Sequence, residues 1–295
     1  MSRRLVVPVL VALLLLAGCG TPRSGDLGPA PTAPPTSGAP TDSPEPTTTR
    51  AAVPTPPPTN RPPRPSAAVS ASTRRPDPVS IELWYVRGGH LVPTRRTRPA
   101  TVATSRLALT ELAIGPSPAE TATGMTTLLP AGVEVTRIAD GVATLRVPSA
   151  GDPATRRLRE AQVVWTLTQF PTVRHVHLDG AAPVGRADYA DLLAPIVVTG
   201  PIPGERVAAP LVVTGTATVF EATVSVRVLD AAGRQVAVGF GTASCGSGCR
   251  GGYRVVIGWR TAREQKGTVE VYEVSARDGS RINTVAVPVV LARGG

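Results

Sequence analysis

The sequence predicts a multidomain chain. An α+β domain over residues 80–190 is followed by an all-β sandwich over residues 195–292, and both stand behind a signal peptide (1–18) and a disordered Pro/Thr/Ser-rich linker (19–79). Three observations carry this. The first 20 residues are a short apolar run behind two arginines, residues 20–79 hold 17 of the 32 prolines, and past residue 195 mixed helix and strand patterns give way to short alternating runs.

Arg3 and Arg4 precede an apolar run from Leu5 to Ala17, shorter than the ~20 residues a membrane-spanning helix needs, so the segment reads as an export signal. Leu16-Ala17-Gly18-Cys19 resembles the lipobox of bacterial lipoprotein precursors. That resemblance implies cleavage before Cys19 and a diacylglycerol on its sulfur. Two acyl chains give stable anchoring where one is marginal. The proline-rich stretch has too few large apolar residues to offset its ordering entropy, so it is expected to be disordered or extended, with a reach of about 45 Å as a coil and at most about 190 Å as polyproline II.

In the α+β segment, Ser80–Val86 is rich in strand formers, Gly88-Gly89 marks a turn, and Leu91–Thr97 returns as a second strand. Thr101–Ile114 follows as a helix with Val102, Leu109, Leu112 and Ala113 at helical spacing, stopped by Gly115-Pro116. Val133–Ile138 and Val142–Val147 flank Ala139-Asp140-Gly141 as a second hairpin. Asp152 caps the next helix with Pro153 in its first turn, and Leu158, Ala161, Trp165 and Leu167 or Thr168 line one side before Phe170-Pro171 ends it. Val173–Leu178 is the closing strand, and the two helices are expected to cover one side of one sheet.

The second segment offers seven strands and no helix: Ile196–Thr199, Leu211–Thr216, Thr223–Leu229, Gln235–Phe240, Tyr253–Gly258, Thr268–Ser275 and Thr284–Leu291. Short alternating runs divided by turns predict two packed sheets.

Several motifs carry a family resemblance. Leu83-Trp84-Tyr85-Val86, His90-Leu91-Val92-Pro93, Glu111-Leu112-Ala113-Ile114-Gly115-Pro116, Gly124-Met125-Thr126-Thr127, Leu129-Pro130-Ala131-Gly132, Gly141-Val142-Ala143-Thr144 and Ala161-Gln162-Val163-Val164-Trp165-Thr166-Leu167-Thr168-Gln169-Phe170-Pro171 together resemble the GerMN domain. Family members often carry an acidic residue where Leu145-Arg146-Val147 stands here, so a ligand contact needing that negative charge is not expected. Pro210–Ala217, Val219–Val224, Val271-Tyr272-Glu273 and Ser275–Ser280 resemble the immunoglobulin-like domain of bacterial spore germination proteins, which commonly follows a GerMN domain.

Function is read mainly by elimination. The net charge of +10 comes from dispersed arginines, with Lys266 the single lysine, and aromatics are 3%. That composition behind an export signal argues against nucleic-acid binding and leaves attraction to anionic lipid or wall polymer. Cys245 and Cys249 lie in a glycine-rich loop and are read as a local disulfide, since a redox pair is usually spaced by two residues and a zinc site would lack its other ligands. Gly239-x-Gly241 begins like a dinucleotide loop, but Ser244 replaces the third glycine. The carboxylate pairs Glu111/Glu120 and Glu270/Glu273 fall on unrelated elements with no cleft indicated. His175, His177 and Asp179 recur every second residue, about 7 Å apart on one strand face, which permits a metal. Val176 and Leu178 should face the helix, sending the histidines outward, while Asp179-Gly180 closes the strand and His90 is remote.

The reading is therefore a non-catalytic cell-envelope lipoprotein on the extracytoplasmic face of the membrane, anchored at Cys19 and stapled at Cys245–Cys249, with no catalytic residue, metal or cofactor assigned. Its expected partners are the membrane through the lipid and an envelope protein or cell-wall polymer, with self-assembly left open. The alternative is an envelope enzyme or metal-dependent binder using the His175/His177 face.

Overall fold

The computed structural model describes residues 77–148 and 150–294. The signal segment, Cys19 and nearly all of the proline-rich stretch lie outside them.

Strands β1 (Val79–Arg87) and β2 (His90–Arg98) pair antiparallel in unbroken register from Val79↔Arg98 to Arg87↔His90. The turn is a two-residue one in which Gly88 and Gly89 both take positive φ (56° and 79°), the backbone that matches the twist of the flanking strands. Helix α1 (Thr104–Ile114) follows, then a single helical turn, α2 (Pro118–Thr121). Ser117 and Glu120 form a capping box around α2. Strand β3 (Val135–Ala139) turns into β4 (Val142–Leu145), helix α3 (Pro153–Leu167) crosses over, and β5 (His175–Leu178) lies parallel to β4. Asp152 caps α3 by accepting from Ala154 N and Thr155 N, both at 3.0 Å.

Three expectations are corrected here. Val102 precedes α1 and is fully exposed, because the helix starts two residues later. The strands form two sheets, β1-β2 and β3-β4-β5, where one was expected. The buried side of α3 centres on Ala161, Val163, Val164 and Leu167, together with the polar Gln162 and Thr166; Leu158 and Trp165 are only half-buried.

Those polar residues explain why the sheets are separate. Glu82, Trp84 and Val86 turn their backbone groups away from β2, and all six are taken. Gln169 bonds both the amide and the carbonyl of Glu82 (2.7 Å each). Thr166 Oγ1 accepts from Trp84 N at 3.2 Å, and Gln162 Nε2 donates to Trp84 O at 2.9 Å. Val86 exchanges two backbone bonds with Thr126. A helix face and a loop thus stand where a third strand would pair, and the outer edge of β1 is capped.

After a 3-10 segment at Arg186–Leu192, the second domain contains β6 (Ile196–Gly200), β7 (Arg206–Val207), β8 (Leu211–Ala217), β9 (Thr223–Leu229), β10 (Gln235–Thr242), β11 (Gly251–Ile257), β12 (Gln265–Val274) and β13 (Arg281–Leu291). They form sheets ordered β11-β8-β6 and β10-β9-β12-β13-β7. All seven expected strands are present; β7, only two residues long, was too short to read. Alternate residues such as Val224, Val226, Val228, Val269 and Val271 are fully buried between the sheets.

Candidate functional site

The first cluster of ionisable groups belongs to β2. Thr94, Arg96 and Arg98 alternate along one side of the strand and meet acids from α1 and α2. Arg98 grips Glu111 through Nε (2.7 Å) and a terminal nitrogen (2.6 Å). Arg96 holds Glu120 through both terminal nitrogens, one at 2.8 Å, while the Thr94 hydroxyl and Ser117 N (2.7 Å) also donate to that carboxylate. Burial alone would raise the Glu120 pKa, but the donors from Arg96, Thr94 and Ser117 outweigh it and hold the carboxyl below its usual range. Between the pairs, Tyr85 donates to Glu111 O at 3.2 Å, and burial pushes its phenol up to about 12. The sequence placed Glu111 and Glu120 on unrelated elements; the structure brings both to one strand, each with its own arginine. Glu120 therefore has no proton to lend at neutral pH.

Glu270 and Glu273, expected on unrelated elements, lie together on β12, and both are engaged. Glu270 pairs with Arg227 at 2.6 Å, and Glu273 accepts from Phe220 N (2.8 Å) and Asn283 Nδ2 (2.7 Å).

On β5, Val176 and Leu178 are buried, His175 is exposed and His177 half-buried. Asp179 has left the strand: it takes φ of 47° in the turn with Gly180, and its Oδ2 accepts from Val147 N at 3.2 Å. His90 lies on β2, its Nδ1 3.0 Å from Gly88 O. Among the described residues, no three His, Cys, Asp or Glu side chains converge as metal ligands.

In the sandwich, Gly239 and Gly241 face inward from β10. A Cβ on Gly241 would stand 2.9 Å from Val255 Cγ2, so the glycines let β10 approach β11 and have no role as a phosphate loop. Val238 and Phe240, between and beside them, point outward and are 60% and 74% exposed. Cys245 and Cys249 are joined, with Cα atoms 5.8 Å apart.

Comparison with known proteins matches both halves. Residues 82–180 fit the family described as "Sporulation and spore germination", and residues 195–280 fit the "Immunoglobulin-like domain of bacterial spore germination". The chain joins a GerMN domain to a spore-germination immunoglobulin-like domain. Two solved structures are similar. The first GerMN domain of the sporulation protein GerM from Bacillus subtilis is 24% identical over 37% of this chain and 95% of its own, with a TM-score of 0.30. The tandem GerMN domains of the same protein are 16% identical over 74% of this chain and 61% of theirs, with a TM-score of 0.33. No curated protein matches the chain.

Within the GerMN domain, sequence reasoning missed a depression of about 270 Å³ beside Asp179, reached by Arg156 and Glu160 of α3 and by Tyr189. The Tyr189 hydroxyl donates to Glu160 Oε2 at 3.1 Å, and burial, followed by the nearby Glu160 charge, raises the phenol pKa. The spacing of Arg156 and Glu160, one helical turn apart, was the available signal. Among the described residues no helix is long and apolar enough to cross a membrane.

Proposed function

We propose that this protein is a non-catalytic cell-envelope lipoprotein, lipidated at Cys19, whose proline-rich spacer carries the GerMN and immunoglobulin-like domains outward to bind an envelope protein or wall polymer. The observation that supports it best is the state of the acids. Glu111, Glu120, Glu270 and Glu273 are each held by an arginine or by amide donors, so they serve the fold and not proton transfer. What the domains offer instead is surface, including Val238 and Phe240 on the outer side of β10. By the strand register this face continues through Arg227 and Ser225 to Glu270 and Tyr272, which gives an apolar strip beside a paired charge.

The test has two parts. Metabolic labelling with a radioactive fatty acid should mark the wild type and not Cys19→Ser. A photo-crosslinking residue at Phe240 should capture the same envelope component in intact cells from the full chain, and capture should depend on whether residues 80–190 are present. An unlabelled wild type, or a soluble product turned over by the purified chain, would overturn the reading.

A further inference from the structure

The depression beside Asp179 has the chemistry of a ligand site. Its wall is aliphatic, from Val147, Leu178 and Val184, and the buried Tyr189 ring adds to it. At about 270 Å³ it falls just under the roughly 300 Å³ at which pockets for drug-sized ligands begin, so it suits a smaller molecule. Three charged side chains reach it: Arg156, Glu160 and Asp179. Arg157 grips Asp191 through two bonds of 2.7 Å, yet its neighbour Arg156 has no side-chain hydrogen bond or ion pair among the described residues. Glu160 and Asp179 are each fixed through one oxygen, by the Tyr189 hydroxyl and by Val147 N. The second oxygen of each has no partner among the described residues. Two carboxylates and one unpaired guanidinium therefore line one open depression with an apolar floor, Asp179 on its exposed side and Arg156 and Glu160 half-buried.

A simple cation would leave Arg156 opposed to it, and a simple anion would meet two carboxylates. A molecule carrying both charges satisfies all three groups. We propose that this depression binds a small zwitterion of the amino-acid class with an aliphatic body. Its ammonium would be held by Asp179 and Glu160, its carboxylate by Arg156 and its hydrocarbon by Leu178, Val184 and Tyr189. Charge-assisted hydrogen bonds to preoriented oxygens supply the selectivity, and the hydrocarbon contact supplies area.

The site is tested by calorimetric titration of the full chain with L-leucine, N-acetyl-L-leucine and 3-methylbutylamine, the latter two lacking one charge each. Leucine should bind, and both analogues should bind about tenfold more weakly or worse. Arg156→Gln should weaken leucine about tenfold while leaving the amine unchanged, and Asp179→Asn should weaken both. Asparagine tolerates the left-handed backbone at 179 and keeps an oxygen for Val147 N, so that variant should melt like the wild type. Tighter binding of the dipeptide Leu-Leu than of leucine would assign the site to peptide ends, and the reverse to free amino acids; either supports it. No heat with leucine, equal affinity for all three probes, or a leucine affinity that neither substitution changes would overturn it.

Discussion

Gln162 of α3 donates its side-chain amide to the carbonyl of Trp84 at 2.9 Å, and its own carbonyl oxygen accepts from Leu128 N at 2.8 Å. One fully buried side chain thereby satisfies two backbone groups on different segments. Gln162→Leu keeps the volume and removes both bonds. With each stranded buried group costing roughly 1–3 kcal/mol, the loss in urea denaturation should be about 2–5 kcal/mol. A loss within the ordinary surface range would mean that the edge of β1 is solvated some other way.

Acid should weaken the Arg96–Glu120 pair. The Glu120 pKa in the folded chain lies below its unfolded value of about 4.5, so the unfolded chain takes up the proton first and its contribution to stability fades as pH falls through the folded pKa. Melting followed from neutral pH into acid should show a steeper acid limb in the wild type than in Glu120→Gln. Arg96→Ala leaves a buried carboxylate unpaired and should cost about 3–5 kcal/mol at neutral pH. Parallel acid limbs would contradict the assignment.

Gly215 lies where a Cβ would stand 2.0 Å from Val197 O and 2.5 Å from Tyr253 Oη. Gly215→Ala should destabilise the sandwich by about 3 kcal/mol or more, since the obstacle on one side is backbone. Gly258, with nothing within 4 Å of its Cβ position, is the control, and Gly258→Ala should stay within about 0.5 kcal/mol. Equal effects at the two sites in chemical denaturation would refute the close approach.

The histidines of β5 are expected to be dispensable. Purified wild type, His175→Ala and His177→Ala should contain no stoichiometric zinc by elemental analysis, and His175→Ala should shift stability by less than about 0.5 kcal/mol. Stoichiometric zinc in the wild type that disappears in both variants would replace the binding-module reading with the metal-dependent one.

The link between Cys245 and Cys249 closes a short loop, for which chain entropy gives on the order of 2 kcal/mol. Replacing both with serine should lower stability by up to that amount. A reductant should lower the wild type to the same level and leave the variant unmoved, whereas insensitivity of the wild type would mean free thiols.

Much of the fold was legible because it is locally encoded. Gly88-Gly89 announces its hairpin, Asp152-Pro153 starts α3, and short apolar runs, several of them alternating, mark the seven strands of the sandwich. Unread features depend on contacts distant in sequence. Gln162, Thr166 and Gln169 look like polar interruptions in an apolar helix until β1, about 80 residues upstream, is laid against them. The same holds for Glu111 and Glu120, whose arginines lie on the preceding strand, and for the depression at Asp179, assembled from four segments. Val102 failed for the opposite reason, a spacing match just outside the helix.

The capped edge of β1 bears on life at a crowded surface. Copies at high local concentration would meet one another constantly, and a strand with unclaimed amides and carbonyls would let each encounter grow into the next. Here the chain has closed that seam on itself with three side chains and a loop. Along Glu82–Val86, neighbours can touch without adding a strand there.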